Sequence, residues 1–106
     1  MNQFDAQVRA ETDMAVLDLT GTIDSGAEPA LDAAYRACAE LEAGAVALDF
    51  TKVDYINSTG IALIVGVLAS ARKNGHSVTA CGLADHYREI FEITRLADFM
   101  TITDKE

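Results

Sequence analysis

An α/β fold, with helices packed against a mixed β-sheet, is predicted for this 106-residue chain by three observations. Short apolar runs of strand length alternate with longer stretches in which apolar residues recur every three or four positions. Gly, Asn or Asp marks most of the changeovers. The resulting order is strand, strand, helix, strand, helix, strand, helix and a short final strand, which fits helices layered on a sheet whose later strands run parallel.

The first strand is weak, around Gln7 to Thr12, and a turn at Thr12-Asp13 joins it to a firmer strand over Met14 to Thr20 (MAVLDLT), giving an N-terminal hairpin. Gly21-Thr22-Ile23-Asp24-Ser25-Gly26 then breaks the pattern. Leu31, Ala34, Tyr35, Cys38 and Leu41 follow at i, i+3, i+4, i+7 and i+10, the stripe of a helix resting on a sheet; Pro29 belongs in its first turn and Gly44 ends it. Ala45 to Phe50, interrupted by Asp49, is apolar enough for a central strand covered on both faces. A loop is expected over Thr51 to Asn57. The helix after it carries the apolar run Ile61 to Ala71 and closes on Arg72, Lys73 and the Asn74-Gly75 stop. A helix apolar nearly all round is either deeply buried or partly reserved for a partner. Ser77 to Cys81 gives another strand, and Gly82-Leu83 leads into a third helix with the face Tyr87, Ile90, Phe91 and Thr94. Thr101 to Thr103 is a short last strand before the charged tail Asp104-Lys105-Glu106. No linker, repeat or low-complexity segment interrupts this order, so one domain over residues 1–106 is expected.

A formal charge of −9, from 17 acidic against 8 basic side chains, opposes the phosphate-backbone attraction on which nucleic-acid binding depends. It equally disfavours anionic membrane surfaces, which attract polybasic segments. Neither nucleic acid nor membrane is expected as a partner. The opening MNQFDAQVRA has no charged start followed by an apolar run, so no secretory signal is read and a cytoplasmic location is expected. The longest apolar run falls short of the ~20 residues that a membrane span needs. Cys38 and Cys81 have no CxxC or Cys/His spacing and are expected as buried free thiols, with no metal site. His76 and His86 lack a ligand-spaced partner and are expected to face solvent.

No phosphate loop, GxGxxG, GxSxG or HExxH pattern is present. Ser58 has no histidine near it in sequence, and Asp49 with Asp54 reads as a pair of solvated acids flanking a loop. No catalytic residue and no cofactor are therefore expected. In open α/β sheets ligands gather beyond the carboxyl ends of the strands, which singles out Gly21 to Ser25 and Asp54 to Gly60 and predicts that Asp24 and Ser58 share a surface. Read locally, Ser58 is an ordinary N-cap. The first turn of a helix, however, has unpaired N–H groups and a partial positive charge, so a phosphate added to that hydroxyl would be tolerated there.

Three segments together resemble the STAS domain of bacterial anti-sigma factor antagonists: Val46 to Gly60 (VALDFTKVDYINSTG), Leu19-Thr20-Gly21-Thr22-Ile23-Asp24, and Cys81-Gly82-Leu83 through Ile90-Phe91-Glu92-Ile93-Thr94. The resemblance covers nearly the whole chain. The family pattern places aspartate-serine-serine-glycine before an apolar helix, where this chain reads Asn57-Ser58-Thr59-Gly60, and by that resemblance Ser58 takes the place of the regulatory phosphoserine. Gly21-x-Ile23-Asp24 matches a second family pattern, a glycine, two residues and an aspartate ahead of the first helix. Two positions depart: Asn57 stands for the usual aspartate, and Arg95 stands where the family often has glycine, so the last helix is expected to run longer.

What the resemblance implies is a protein that, with Ser58 unmodified, docks onto an anti-sigma factor with serine kinase activity and lets go when Ser58 is phosphorylated, a serine phosphatase being the second implied partner. Asp24, Asn57, Ser58, Thr59 and Gly60 are then the partner-binding residues. A constitutive role as an unphosphorylated STAS scaffold or sensor module in a larger signalling assembly is the alternative, suited by Asn57 and the apolar Ile61 to Leu68 helix.

Overall fold

A computed structural model describes residues 3–41 and 43–103. The expected charged tail, Asp104-Lys105-Glu106, lies outside the described residues. Five strands, β1 (Asp5–Glu11), β2 (Met14–Ile23), β3 (Ala45–Ile56), β4 (Ser77–Cys81) and β5 (Thr101–Thr103), form one sheet in the order β1-β2-β3-β4-β5. The hairpin β1–β2 is antiparallel and every later pairing is parallel, the mixed sheet expected. Asp13 turns the hairpin at φ 59, a conformation that an aspartate accepts more readily than most residues.

Helices α1 (Glu28–Glu40), α2 (Ser58–Lys73) and α3 (Asp85–Ile93) each cross between parallel neighbours. A sequential strand order with right-handed crossovers sets all three on the same face. That face supplies the core, one contiguous cluster in which Leu17, Leu19, Val46, Leu48 and Phe50 of the sheet meet Leu31, Cys38, Ile64, Leu68 and Phe91 of the helices. Phe50 and Phe91 meet edge to face, with ring centroids 6.0 Å apart, fastening α3 to β3. Val16, Ala47 and Cys81 are also buried but stand outside that cluster. Near them, Arg9 of β1 pairs with Asp18 of β2 at 2.6 Å.

Several boundaries differ from expectation. β2 continues through Gly21 to Ile23 because the glycine, at φ 90, sits in a bulge and does not end the strand. β3 continues to Ile56, so the loop expected over Thr51 to Asn57 is strand except for Asn57. Its outer residues pair with β2 alone, since the last residue of β4, Cys81, lies opposite Asp49. α1 ends at Glu40, short of Gly44, and Leu41 is its half-exposed C-cap. α3 stops at Ile93: Arg95 does not lengthen it but turns the chain at φ 67 into a short 3-10 turn, Leu96–Asp98, with Arg95 paired to Asp98. Thr94 caps α3 and is exposed, so it leaves the expected apolar face. His76 does not simply face solvent, because its Nδ1 lies 2.8 Å from the Tyr35 hydroxyl, which also accepts from Asn74 at 3.2 Å. Cys38 and Cys81 are buried and not joined in a disulfide, as expected, and burial pushes the Cys38 thiol up to about 11.

Candidate functional site

The carboxyl ends of β2 and β3 bring the two singled-out segments together. Asn57 is the one residue between β3 and α2, and its extended backbone (φ −94, ψ −178) makes it the N-cap. Its side-chain Oδ1 accepts from the Gly60 N–H at 2.8 Å, and its carbonyl accepts from Ile61 N at 3.0 Å. Asn replaces aspartate here without loss of the cap, both being good N-cap residues. The capping role that local sequence offered to Ser58 therefore belongs to Asn57.

Ser58 is the first residue of α2 and is exposed. Among the described residues no hydrogen bond reaches its hydroxyl. It stands where α2 presents unpaired N–H groups and the positive end of its dipole, with no acidic residue in the first turn and Arg72 and Lys73 at the far end. Thr59 beside it is exposed as well. Down the helix, Ala62, Val65, Gly66 and Ala69 continue an exposed stripe at helical spacing, with Val65 43 % exposed. The apolar character of α2 thus divides between a buried face (Ile64, Val67, Leu68, Ala71) and a smooth outer one.

Gly60 anchors this end of α2 against β2. A Cβ built there would lie 2.0 Å from the Ile23 carbonyl oxygen and 2.8 Å from its carbon, so only hydrogen permits the approach. The same Ile23 carbonyl accepts from Asn57 N at 3.2 Å. Asp24 follows directly. Its Oδ1 accepts from Gly26 N at 2.9 Å and caps the 3-10 turn Ser25–Ala27 that opens into α1. Asp24 and the Asn57–Gly60 segment are therefore joined through Ile23, on one end of the sheet. Nearby, Thr22 is 4 % exposed and its hydroxyl has no partner among the described residues.

One contributor escaped the sequence reading. The Tyr87 hydroxyl of α3 accepts from the Ile56 N–H at 3.0 Å, two residues before Ser58 and 31 residues away in the chain. Tyr87 is legible in sequence only as part of the apolar face of α3. A cleft of about 690 Å³ lies elsewhere, toward the C-terminal half of α2 between Val65, Leu68, Arg72, His76 and Phe99, and none of the candidate residues lines it. Among the described residues no group of three His, Cys, Asp or Glu is placed to hold a metal ion, and no helix is long and apolar enough to cross a membrane.

The family described as Mlab, STAS domain, matches residues 6–103. The anti-sigma-B factor antagonist of Listeria monocytogenes is 31 % identical over 96 residues, which span 91 % of this chain and 84 % of the relative. Among solved structures, an anti-sigma factor antagonist from Mycobacterium paratuberculosis superposes with a TM-score of 0.76 at 22 % identity, covering 97 % of this chain and 87 % of that one. The Bacillus cell fate determinant SpoIIAA in its phosphorylated form superposes at 0.69 with 17 % identity, over 95 % and 91 %.

Proposed function

The chain belongs to the STAS domain family, and on that premise we propose that it is an anti-sigma factor antagonist, acting as one domain over residues 1–106 in the cytoplasm. It is a regulatory binder and not an enzyme. The unmodified protein docks onto an anti-sigma factor with serine kinase activity through Asp24, Asn57, Ser58 and Thr59, while Gly60, buried against Ile23, sets where that end of α2 stands and does not itself meet the partner. Phosphorylation of Ser58 releases it, and a serine phosphatase restores it.

The observation that carries this reading is the Ser58 hydroxyl, exposed and unbonded at the head of α2, with its capping duty taken by Asn57. It can be modified without dismantling the fold. The exposed stripe Ala62, Val65, Gly66 and Ala69 supports docking alongside it. A phosphate adds about −1.5 to −2 charges. Facing one partner carboxylate at ~4 Å and an effective dielectric near 20, each unit of charge meets a repulsion on the order of 4 kcal/mol, roughly a thousandfold in affinity. The helix dipole returns only about 0.3–1 kcal/mol to the phosphate at such an exposed end. The balance falls on the interface and leaves folding nearly untouched. That SpoIIAA exists in a phosphorylated form with this fold supports the same division.

Incubation with ATP, magnesium and the host's anti-sigma factor kinase, followed by intact mass, tests the reading. One phosphate is expected on the wild type and none on Ser58→Ala. A protein that binds the kinase yet gains no mass would instead be the unphosphorylated scaffold.

A further inference from the structure

We propose that Tyr87 is a positioning residue for the Ser58 site, its hydroxyl standing in for the neighbouring strand that the end of β3 lacks. β4 finishes at Cys81, opposite Asp49, so among the described residues β3 from Phe50 to Ile56 has β2 on one side and no strand on the other. Backbone groups in a parallel sheet need partners on both sides, and a buried N–H left without one is costly. Two side chains supply partners here. The Asp49 carboxylate accepts from Thr51 N at 2.9 Å, and the Tyr87 hydroxyl accepts from Ile56 N at 3.0 Å. Ile56 is only 4 % exposed, which leaves water a poor substitute.

The next residue is tied to the opposite flank, because Asn57 N donates to Ile23 O at 3.2 Å. Ile56 is thus gripped from α3 and Asn57 from β2. Ser58 follows with its hydroxyl free. Without the Tyr87 oxygen, the Ile56 N–H must turn toward solvent to find a partner, and the cap and the Ser58 hydroxyl move with it. The residue touches neither the partner nor the phosphate; it sets where Ser58 stands, and so rests on the reading of Ser58 as the docking site.

Tyr87→Phe removes the oxygen alone and keeps the ring against His86, whose centroid is 5.1 Å away. Two quantities are measured at 25 °C, after circular dichroism has shown both proteins folded: amide exchange at Ile56 by NMR, and affinity for the host's anti-sigma factor kinase by calorimetry. Exchange at Ile56 is expected to speed about tenfold while Leu48 is unchanged, and affinity to weaken by about tenfold. Faster exchange with wild-type affinity would reduce Tyr87 to a structural group and overturn the proposal. Unchanged exchange would overturn it as well. A wild type that fails to bind the kinase would instead sink the docking assignment of Ser58.

Discussion

Replacing Gly60 by Ala puts a methyl group into the backbone of β2. The new Cβ would sit 2.0 Å from the Ile23 oxygen and 2.8 Å from the Ile23 carbon, and a strand backbone paired to β3 at Ile56 cannot swing aside as a flexible side chain would. Overpacking of this kind costs about 1–3 kcal/mol, and here α2 must also retreat from the carbonyl that holds Asn57. Against it stands the helix preference for Ala over Gly, at most ~1 kcal/mol. The clash wins, with a net loss of about 2 kcal/mol and a fall in melting temperature of roughly 8–10 °C. The same substitution six residues along α2 reverses sign, because nothing lies within 4 Å of a Cβ at Gly66: Gly66→Ala should gain about 0.5–1 kcal/mol. Thermal and urea unfolding of the two variants side by side decide the matter. A Gly60→Ala protein that melts at or above the wild type would refute the close approach of α2 to β2.

Asn57→Ala should lose about 1 kcal/mol by leaving the Gly60 N–H without its cap, whereas Asn57→Asp should match or exceed the wild type in urea, since aspartate keeps the bond and suits the helix dipole. Cys38 should resist alkylation at pH 8 in the native protein and react only on unfolding, because burial raises its thiol to about 11. As that shift raises the folded-state value above the ordinary 9.0, its contribution to stability is complete below pH 9 and disappears as pH climbs toward 11, a fall that Cys38→Ala should flatten in pH-dependent unfolding.

Much of the fold was legible because the periodicities are clean: α2 stops at the Asn74-Gly75 signal, β4 matches its run, and Leu31, Ala34, Tyr35 and Cys38 are buried at the expected spacing. The errors have a common source in residues that carry the mark of one state while tertiary context imposes another. Thr51 to Tyr55 are polar and exposed except for Val53, because β3 has outrun β4 here, so a strand looked like a loop. Gly21 looked like a breaker because a bulge uses the same residue as a turn. Arg95 carries no hint of its left-handed backbone, which glycine would have announced. His76 and Tyr87 were missed as partners because their bonds, to Tyr35 and Ile56, join elements distant in sequence. At the candidate site, the nearness of Asp24 to the Ser58 segment was legible from the strand ends, while the assignment of the cap to Asn57 needed the backbone angles.

The most direct test of the proposed switch is the affinity of the protein for the host's anti-sigma factor kinase, measured by calorimetry on unmodified and Ser58-phosphorylated samples whose melting temperatures are recorded in parallel. The phosphate, or Ser58→Asp in its place, should weaken binding by roughly a thousandfold while the melting temperature moves by no more than a few degrees. Equal affinity in the two forms, or a loss of affinity matched by a collapse in melting temperature, would contradict it.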